Sequence, residues 1–271
     1  MISVLRVSPA GALRISVPSK LYVPRLLAQQ GLAGYEPDAI ACFLAAIEIS
    51  GAESVFDVGA NVGVYAVVAA ALTTTTVVAF EPTPDLVAAG LAICADNGLD
   101  CRFEQVALGE TEGRAVLYLS DRTDSSNSLL SGFRPSTASL DVAVTTIDAF
   151  CSETGLAPRV IKIDTEATEP AVLRGGLRHI SEHRPWIICE VLAGRTEGEL
   201  TSILDSIEYR AYPITSSSPL QEATAIVGDP TYQHMNWLFA PVALDPPFQA
   251  ALDRWRIALR ECSAEALAPG D

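Results

Sequence analysis

One stretch, Val55-Phe-Asp-Val-Gly-Ala-Asn-Val-Gly-Val-Tyr65, constrains the fold more than any other part of the chain. Val55 to Val58 is a short apolar run suited to a buried strand, Gly59 to Gly63 is a tight turn, and Val64 to Leu72 continues as a helix. A glycine-containing turn between strand and helix lets backbone N–H groups and a helix N-terminus come close to a ligand. The dinucleotide fingerprint G-x-G-x-x-G does not fit, because from Gly59 the third position is Asn61 and the sixth is Val64. Asn tolerates a left-handed backbone better than other non-glycine residues, so Asn61 can take a turn glycine's place. Asp57 ends the strand with a carboxylate, which suits a cationic ligand group better than a pyrophosphate. The ligand-free alternative is an ordinary strand-turn-helix.

The same alternation repeats downstream. Thr75 to Glu81 reads as a second strand, Pro84 to Asn97 as a helix stopped by Gly98, and Cys101 to Leu108 as a third strand. Strand-helix-strand-helix-strand is half of a doubly wound parallel sheet, so the fold class is α/β and Rossmann-like. Val160 to Asp164 and Trp186 to Glu190 add core strands. Between these two, Thr168 to His179 reads as a helix, with Thr168 as N-cap and Gly175-Gly176 as its end. Arg114 to Leu119 and Val142 to Thr146 pair around the polar span Ser120 to Ser139, which has no apolar period. Glu199 to Ile207, Tyr209 to Ile214 and Trp237 to Ala240 supply a helix and two closing strands. The organisation predicted is an N-terminal hairpin and helix over residues 1–48, a ligand-binding domain over 49–245, and a C-terminal helix over 246–271 that docks on the core or forms a homodimer. The hairpin rests on Ile2–Val7 and Leu13–Val17 flanking the turn Ser8-Pro-Ala-Gly11.

A net charge of −15 disfavours phosphate backbones, so nucleic acid is not an expected partner. The longest apolar run, Val64 to Leu72, is too short for a bilayer span, and the N-terminus lacks a signal-peptide pattern. The six cysteines form no C-x-x-C and several lie in apolar runs, which predicts buried free thiols and a cytoplasmic setting.

Four core strands finish in a carboxylate: Asp57, Glu81, Asp164 and Glu190. Ligands of open α/β sheets bind outside the carboxyl ends of the strands, and four acids on one rim repel unless something positive or hydroxylated lies among them. An amine, a sulfonium, ribose hydroxyls, Lys162 or a metal would serve; a divalent metal could sit among Asp164, Glu166 and Glu190, but no ligand spacing demands one. Glu81 lies where an acid accepts bonds from ribose hydroxyls. Lys162 and Asp164, two apart on a strand, share a face, and a lysine in an apolar strand needs a partner in Asp164 or Glu190. Each acid could instead cap a helix or face solvent, and Lys162 could be a purely structural ion pair. His179 is expected at the surface, while His234, just before a closing strand, could reach the rim.

These pieces together resemble the FkbM-type S-adenosylmethionine-dependent methyltransferases. The match runs through Phe56-Asp-Val-Gly-Ala-Asn-Val-Gly63, Ala79-Phe-Glu-Pro82, Val106-Ala-Leu-Gly109, Thr146-Ile-Asp148 and Lys162-Ile-Asp-Thr-Glu-Ala-Thr-Glu169, in order, over about two-thirds of the chain. The resemblance implies a class I methyltransferase fold, mostly parallel with an antiparallel strand near its end. It also implies O-methylation of a hydroxyl on a small molecule, a natural product or sugar of secondary metabolism. It implies that Asp57, Gly59, Ala60, Asn61 and Gly63 hold the methionine part of S-adenosylmethionine. Glu81, beside Pro82, would hold the ribose, and Ala107 would border the adenine. Ser126 and Ser128, in Asp124-Ser-Ser-Asn-Ser128, would belong to the family's loop over the cofactor, with a mobile surface loop as the alternative. Asp164 is the first choice for the base that takes the acceptor's proton, followed by Glu166 and Glu190, with Lys162 tuning Asp164 and His234 in reserve. The family usually has glycine at Ala167, where a Cβ could narrow the acceptor pocket or forbid a left-handed backbone. An NAD-dependent oxidoreductase and a non-catalytic scaffold share the architecture. The absent glycine pattern counts against the first, and the retained rim acids count against the second.

Overall fold

A computed structural model describes residues 2–7, 11–16, 21–262 and 264–266. In chain order the elements are β1 (Ile2–Val7), β2 (Gly11–Ser16), α1 (Tyr22–Gln30), α2 (Pro37–Ser50), β3 (Ser54–Val58), α3 (Val64–Leu72), β4 (Thr76–Phe80), α4 (Pro84–Asn97), β5 (Cys101–Glu104), β6 (Ala107–Leu108), β7 (Gly113–Leu119) and β8 (Ala138–Thr145). There follow α5 (Ile147–Thr154), β9 (Val160–Ile163), α6 (Glu169–Arg174), α7 (Leu177–His183), β10 (Trp186–Glu190), α8 (Glu197–Ser206), β11 (Arg210–Pro213), β12 (Asn236–Ala240), α9 (Pro246–Arg260) and β13 (Ala264–Ala266). The central sheet has seven strands in the order β11-β12-β10-β9-β3-β4-β5. β3, β4, β5, β9 and β10 run parallel, and β12 pairs antiparallel to β10 and β11. This is the mostly parallel sheet with an antiparallel strand near its end that the resemblance implies.

Helices cover both faces, so β3, β9, β10 and β12 are buried along their whole length and read as apolar runs. Val55, Val77, Ala79, Val160, Ile188 and Leu238 pack in one cluster with residues of α2, α3 and α9, while Phe56, Phe80, Ile161, Ile163 and Ile187 pack with Val172, Leu173 and Leu200 in another. The period of two decides where the charges fall. Asp57 follows the parity of Val55, Lys162 that of Val160, and Glu190 that of Ile188, so all three lie on the α2/α3 face at the carboxyl edge. Chain order reverses between β3 and β9, where Asp57 and Lys162 are register partners. That crossing is the topological switch point where an open α/β sheet leaves a crevice.

Several local expectations change in three dimensions. The run Cys101–Leu108 is two strands: β5 belongs to the main sheet, and β6 leaves it to pair with β8 beside β7. The helix expected over Thr168–His179 is broken into α6 and α7 at Gly175-Gly176, and Thr168 makes no side-chain cap. α1 and α5 carry shorter apolar patterns that the sequence reading passed over. β1 and β2 form the predicted hairpin, whereas residues 8–10 of its turn lie outside the described residues. None of the six cysteines forms a disulfide; five are buried and Cys151 is half-buried. Among the described residues no helix is long and apolar enough to cross a membrane.

Candidate active site

A cleft of about 330 Å³ opens at the switch point. One half is made by the glycine turn. Gly59, Asn61 and Gly63 take φ of +77°, +53° and +78°, so Asn61 does adopt the left-handed backbone. The turn is clamped: Gly59 and Ala60 both donate N–H bonds of 3.0 Å to the Phe80 carbonyl. A Cβ on Gly59 would lie 1.8 Å from the Asp164 carbonyl oxygen, so only glycine lets β3 and β9 meet here. The Asp57 carboxylate accepts the Ala66 N–H at 3.0 Å and so caps the first turn of α3. Glu81 accepts the N–H groups of Asn61 at 3.0 Å and Thr83 at 2.8 Å. Burial pushes Asp57 up to about 7 against the pull of Lys162, and Glu81 up to about 6 against its backbone donors. Asp57, Gly59, Ala60, Asn61, Glu81, Pro82 and Ala107 all line the cleft.

The other half is built around Lys162, 1% exposed, with Nζ 3.2 Å from Asp164 Oδ2 and 5.2 Å from the centre of the Tyr65 ring. Burial alone would lower its pKa, but the carboxylates of Asp164, Glu36 and Glu190 outweigh it and raise it. The Tyr65 hydroxyl donates to Glu36 Oε2 at 2.7 Å. Burial raises Glu36, Tyr35 and Tyr65 above their ordinary values. Glu190 is raised well above the usual carboxylate range by burial and by Asp164, Glu166 and Glu169. Burial and Asp164 push Glu166 up to about 8, and burial takes Glu169 to about 7. Lys162, Asp164, Glu166 and Glu190 all line the cleft, as do Tyr35, Glu36, Tyr65 and Met235.

Glu166 and Ala167 follow one another at φ of +56° and +80°. The chain thus keeps at Ala167 the left-handed backbone that a glycine would hold without strain. The Ser128 hydroxyl donates to the Glu166 carbonyl at 2.6 Å, and the Ala167 N–H donates to Glu169 Oε1 at 3.2 Å, which pins this strained pair from both sides. The polar span 120–139 is anchored too: Asp124 Oδ1 accepts the Tyr22 N–H at 2.8 Å, and its carbonyl accepts the Asn61 side-chain amide at 3.2 Å.

Four expected site residues lie off the cleft wall. Gly63 is a packing glycine whose added Cβ would lie 2.5 Å from the Phe103 ring. Ser128 is buried against Glu166, and Ser126 bonds Thr123, while their neighbours Ser125 and Asn127 reach the cleft. His234 is exposed and its N–H donates to Asp229 at 3.0 Å. His179, expected at the surface, is 4% exposed, with Nε2 3.3 Å from the Pro158 carbonyl. The sequence reading missed Tyr22, Tyr35, Glu36, Tyr65 and Met235. An acid just ahead of a helix-initiating proline, Glu36-Pro37, was the available signal for Glu36.

The profile of the methyltransferase FkbM domain matches residues 57–214. None of the curated proteins compared with the chain matches it. Among solved structures, methyltransferase FkbM from Methylobacillus flagellatus is 20% identical, with 69% of this chain and 43% of that one covered at a TM-score of 0.46. The chain therefore spans less than half the length of that protein. Precorrin-6y C5,15-methyltransferase from Geobacter metallireducens is 9% identical, covering 74% and 84% at 0.42. An O-methyltransferase from Bacillus cereus in complex with SAH is 13% identical, covering 76% and 80% at 0.42. The FkbM profile spans more than half of the chain and takes in the glycine turn, Glu81 and the Lys162–Glu169 rim, and the chain belongs to the FkbM family of S-adenosylmethionine-dependent methyltransferases.

Proposed function

We propose that the cleft binds S-adenosylmethionine in the half lined by Asp57, Asn61, Glu81 and Ala107, and methylates a hydroxyl oxygen of a small molecule held in the half lined by Tyr35, Tyr65 and Lys162. The observation that carries this reading is that both halves belong to one cleft whose walls hold many carboxyl groups and one buried ammonium. Such a donor set fits a ligand with ammonium and sulfonium charges and ribose hydroxyls. Asp124 supports the fit: it lines the cleft, and its buried Oδ2 has no hydrogen-bond partner among the described residues.

When bound, S-adenosylmethionine supplies an electrophilic methyl group. Everything else falls to the chain. Glu81 keeps a lone pair on each oxygen beyond the bonds to Asn61 and Thr83, and these would accept from ribose hydroxyls. Asp57, fixed by the α3 N-terminus, would hold the methionine ammonium. The aromatic wall of Tyr35 and Tyr65 orients the acceptor, and alignment of this kind lowers a barrier by roughly 7–11 kcal/mol in well-oriented systems. Glu166, ionised above about pH 8, takes the acceptor's proton. Its carboxyl lines the cleft on a backbone pinned by Ser128, whereas Asp164, the choice from sequence, has Oδ2 engaged with Lys162. Asp164 then positions Lys162, and Glu190 backs the pair.

Titration calorimetry with S-adenosylmethionine tests the donor half. Saturable binding to the wild type is expected. Glu81→Ala should lose about 1–3 kcal/mol of affinity, an unpaired-polar-group cost. A wild type that shows no binding, or a folded Glu81→Ala with unchanged affinity, removes the assignment.

A further inference from the structure

Glu169 opens α6 and is fully buried, 0% exposed. Its Oε1 is well satisfied, accepting the Thr165 N–H at 2.8 Å, the Thr165 hydroxyl at 3.2 Å and the Ala167 N–H at 3.2 Å. Its Oε2 is buried with no hydrogen-bond partner among the described residues. Glu190, at the end of β10 and 4% exposed, repeats the pattern: its Oε2 is also buried and unpartnered. Asp164, just past β9, completes a trio in which one carboxylate oxygen from each residue lies within 4.8 Å of the others. Lys162 answers part of this charge, but among these three acids its hydrogen bond goes to Asp164 alone. Buried acceptors without donors are costly, and three carboxylates this close repel.

A cation removes both costs at once. Two oxygens bound to one ion at about 2.1–2.5 Å lie no more than about 4–5 Å apart, which is the spread seen here. The donors are all carboxylate oxygens, the set that suits hard divalent ions rather than zinc or copper. Asp164 and Glu190 line the cleft while Glu169 closes the rear, so an ion held by the three presents its open side to the cleft. We propose that Asp164, Glu169 and Glu190 bind one hard divalent cation of the Mg²⁺, Mn²⁺ or Ca²⁺ class. The proposal stands without the methyl donor or acceptor. One consequence rests on the functional reading above: an acceptor hydroxyl coordinated there is more acidic than a free one.

The test uses the full chain and Mn²⁺ alone, with no S-adenosylmethionine, so it succeeds or fails independently of the donor site. Loss of the free Mn²⁺ electron-paramagnetic-resonance signal should show one saturable ion per chain at millimolar concentration or below, displaced by Mg²⁺ or Ca²⁺. Glu169→Gln and Glu190→Gln should each weaken binding by about tenfold or more, because ligand charge count sets affinity. Glu182→Gln, an exposed acid on α7, should not. Absent saturable binding, or binding equal in wild type and both folded variants, overturns the proposal and leaves protons on the two orphan oxygens. Should either variant fail to fold, the anomalous signal of Mn²⁺ in wild-type crystals decides. A peak among the three carboxylates supports the site, and a peak elsewhere or none refutes it.

Discussion

Single residues at the cleft carry distinct costs, and substitutions can tell them apart. Glu166→Gln keeps the shape and polarity of the side chain but cannot take a proton. Methyl transfer should fall by about 10²- to 10⁴-fold while S-adenosylmethionine affinity holds. Turnover near the wild-type rate on a genuine acceptor would remove Glu166 from the base role. Asp164→Asn should behave differently, because it weakens the ion pair of a buried lysine. With the Asp164 side chain 29% exposed, the stability loss should be on the order of 2 kcal/mol, below the roughly 3–5 kcal/mol of a fully buried pair. An unaltered denaturant midpoint would contradict that reading of Lys162. Ala167 offers the opposite sign. Its φ of +80° strains a Cβ by roughly 1–2 kcal/mol, more than the ~0.4–1 kcal/mol that glycine adds to unfolded-chain entropy. Ala167→Gly should therefore stabilise the fold, and urea unfolding that shows a loss would refute the strain.

At the scale of elements, the terminal helix α9 settles onto the core. Phe248, Ala251, Leu252 and Leu259 are buried, and Phe248 stacks on Trp186 of β10 at 4.8 Å between ring centres. Docking onto the core was one of the two roles the sequence suggested for this helix. Arg256, 3% exposed, ties α9 to α2 through Asp38 at 2.9 Å, an ion pair without hydrogen-bond geometry. It also donates to the carbonyls of Ser217 and Thr215. Arg256→Met strips those two carbonyls of their donor and leaves Asp38 without its buried partner. A loss of about 3 kcal/mol is expected in chemical unfolding, and a loss under about 1 kcal/mol would show that the arginine is dispensable there. The span 120–139, read from the sequence as a polar loop over the cofactor, is tied to the cleft by its bonds to Tyr22, Asn61 and Glu166 and also buries Phe133.

For the whole molecule the charge balance sets the pH response. Asp57 and Glu81 have folded values of about 7 and 6, above their ordinary range near 4, because burial disfavours the charged form. The folded state then holds protons that the unfolded chain has released, so stability is greatest at low pH and falls as pH rises through that window. The net charge of −15 acts in the same direction through self-repulsion. Without ligand, the melting temperature should drop between about pH 5 and about pH 8, and S-adenosylmethionine should raise it more at the higher pH. A melting temperature that climbs over this range would sink the argument.

Local rules made most of the fold legible. The strand-turn-helix at Val55–Leu72, the stop at Gly98 and the left-handed Asn61 follow from backbone preference and apolar period alone, and parity along each strand set the acids on one face. The sequence could not report which distant segments meet. Glu36 reaches Tyr65 across 29 residues, and Tyr22 reaches Asp124 across 102. The burial of Glu169 and His179, the departure of β6 from the main sheet, and the exposure of His234 likewise depend on what packs against them. Backbone and periodicity are properties of neighbours in the chain, whereas a site is a convergence of side chains, fixed only when helices and sheet pack together.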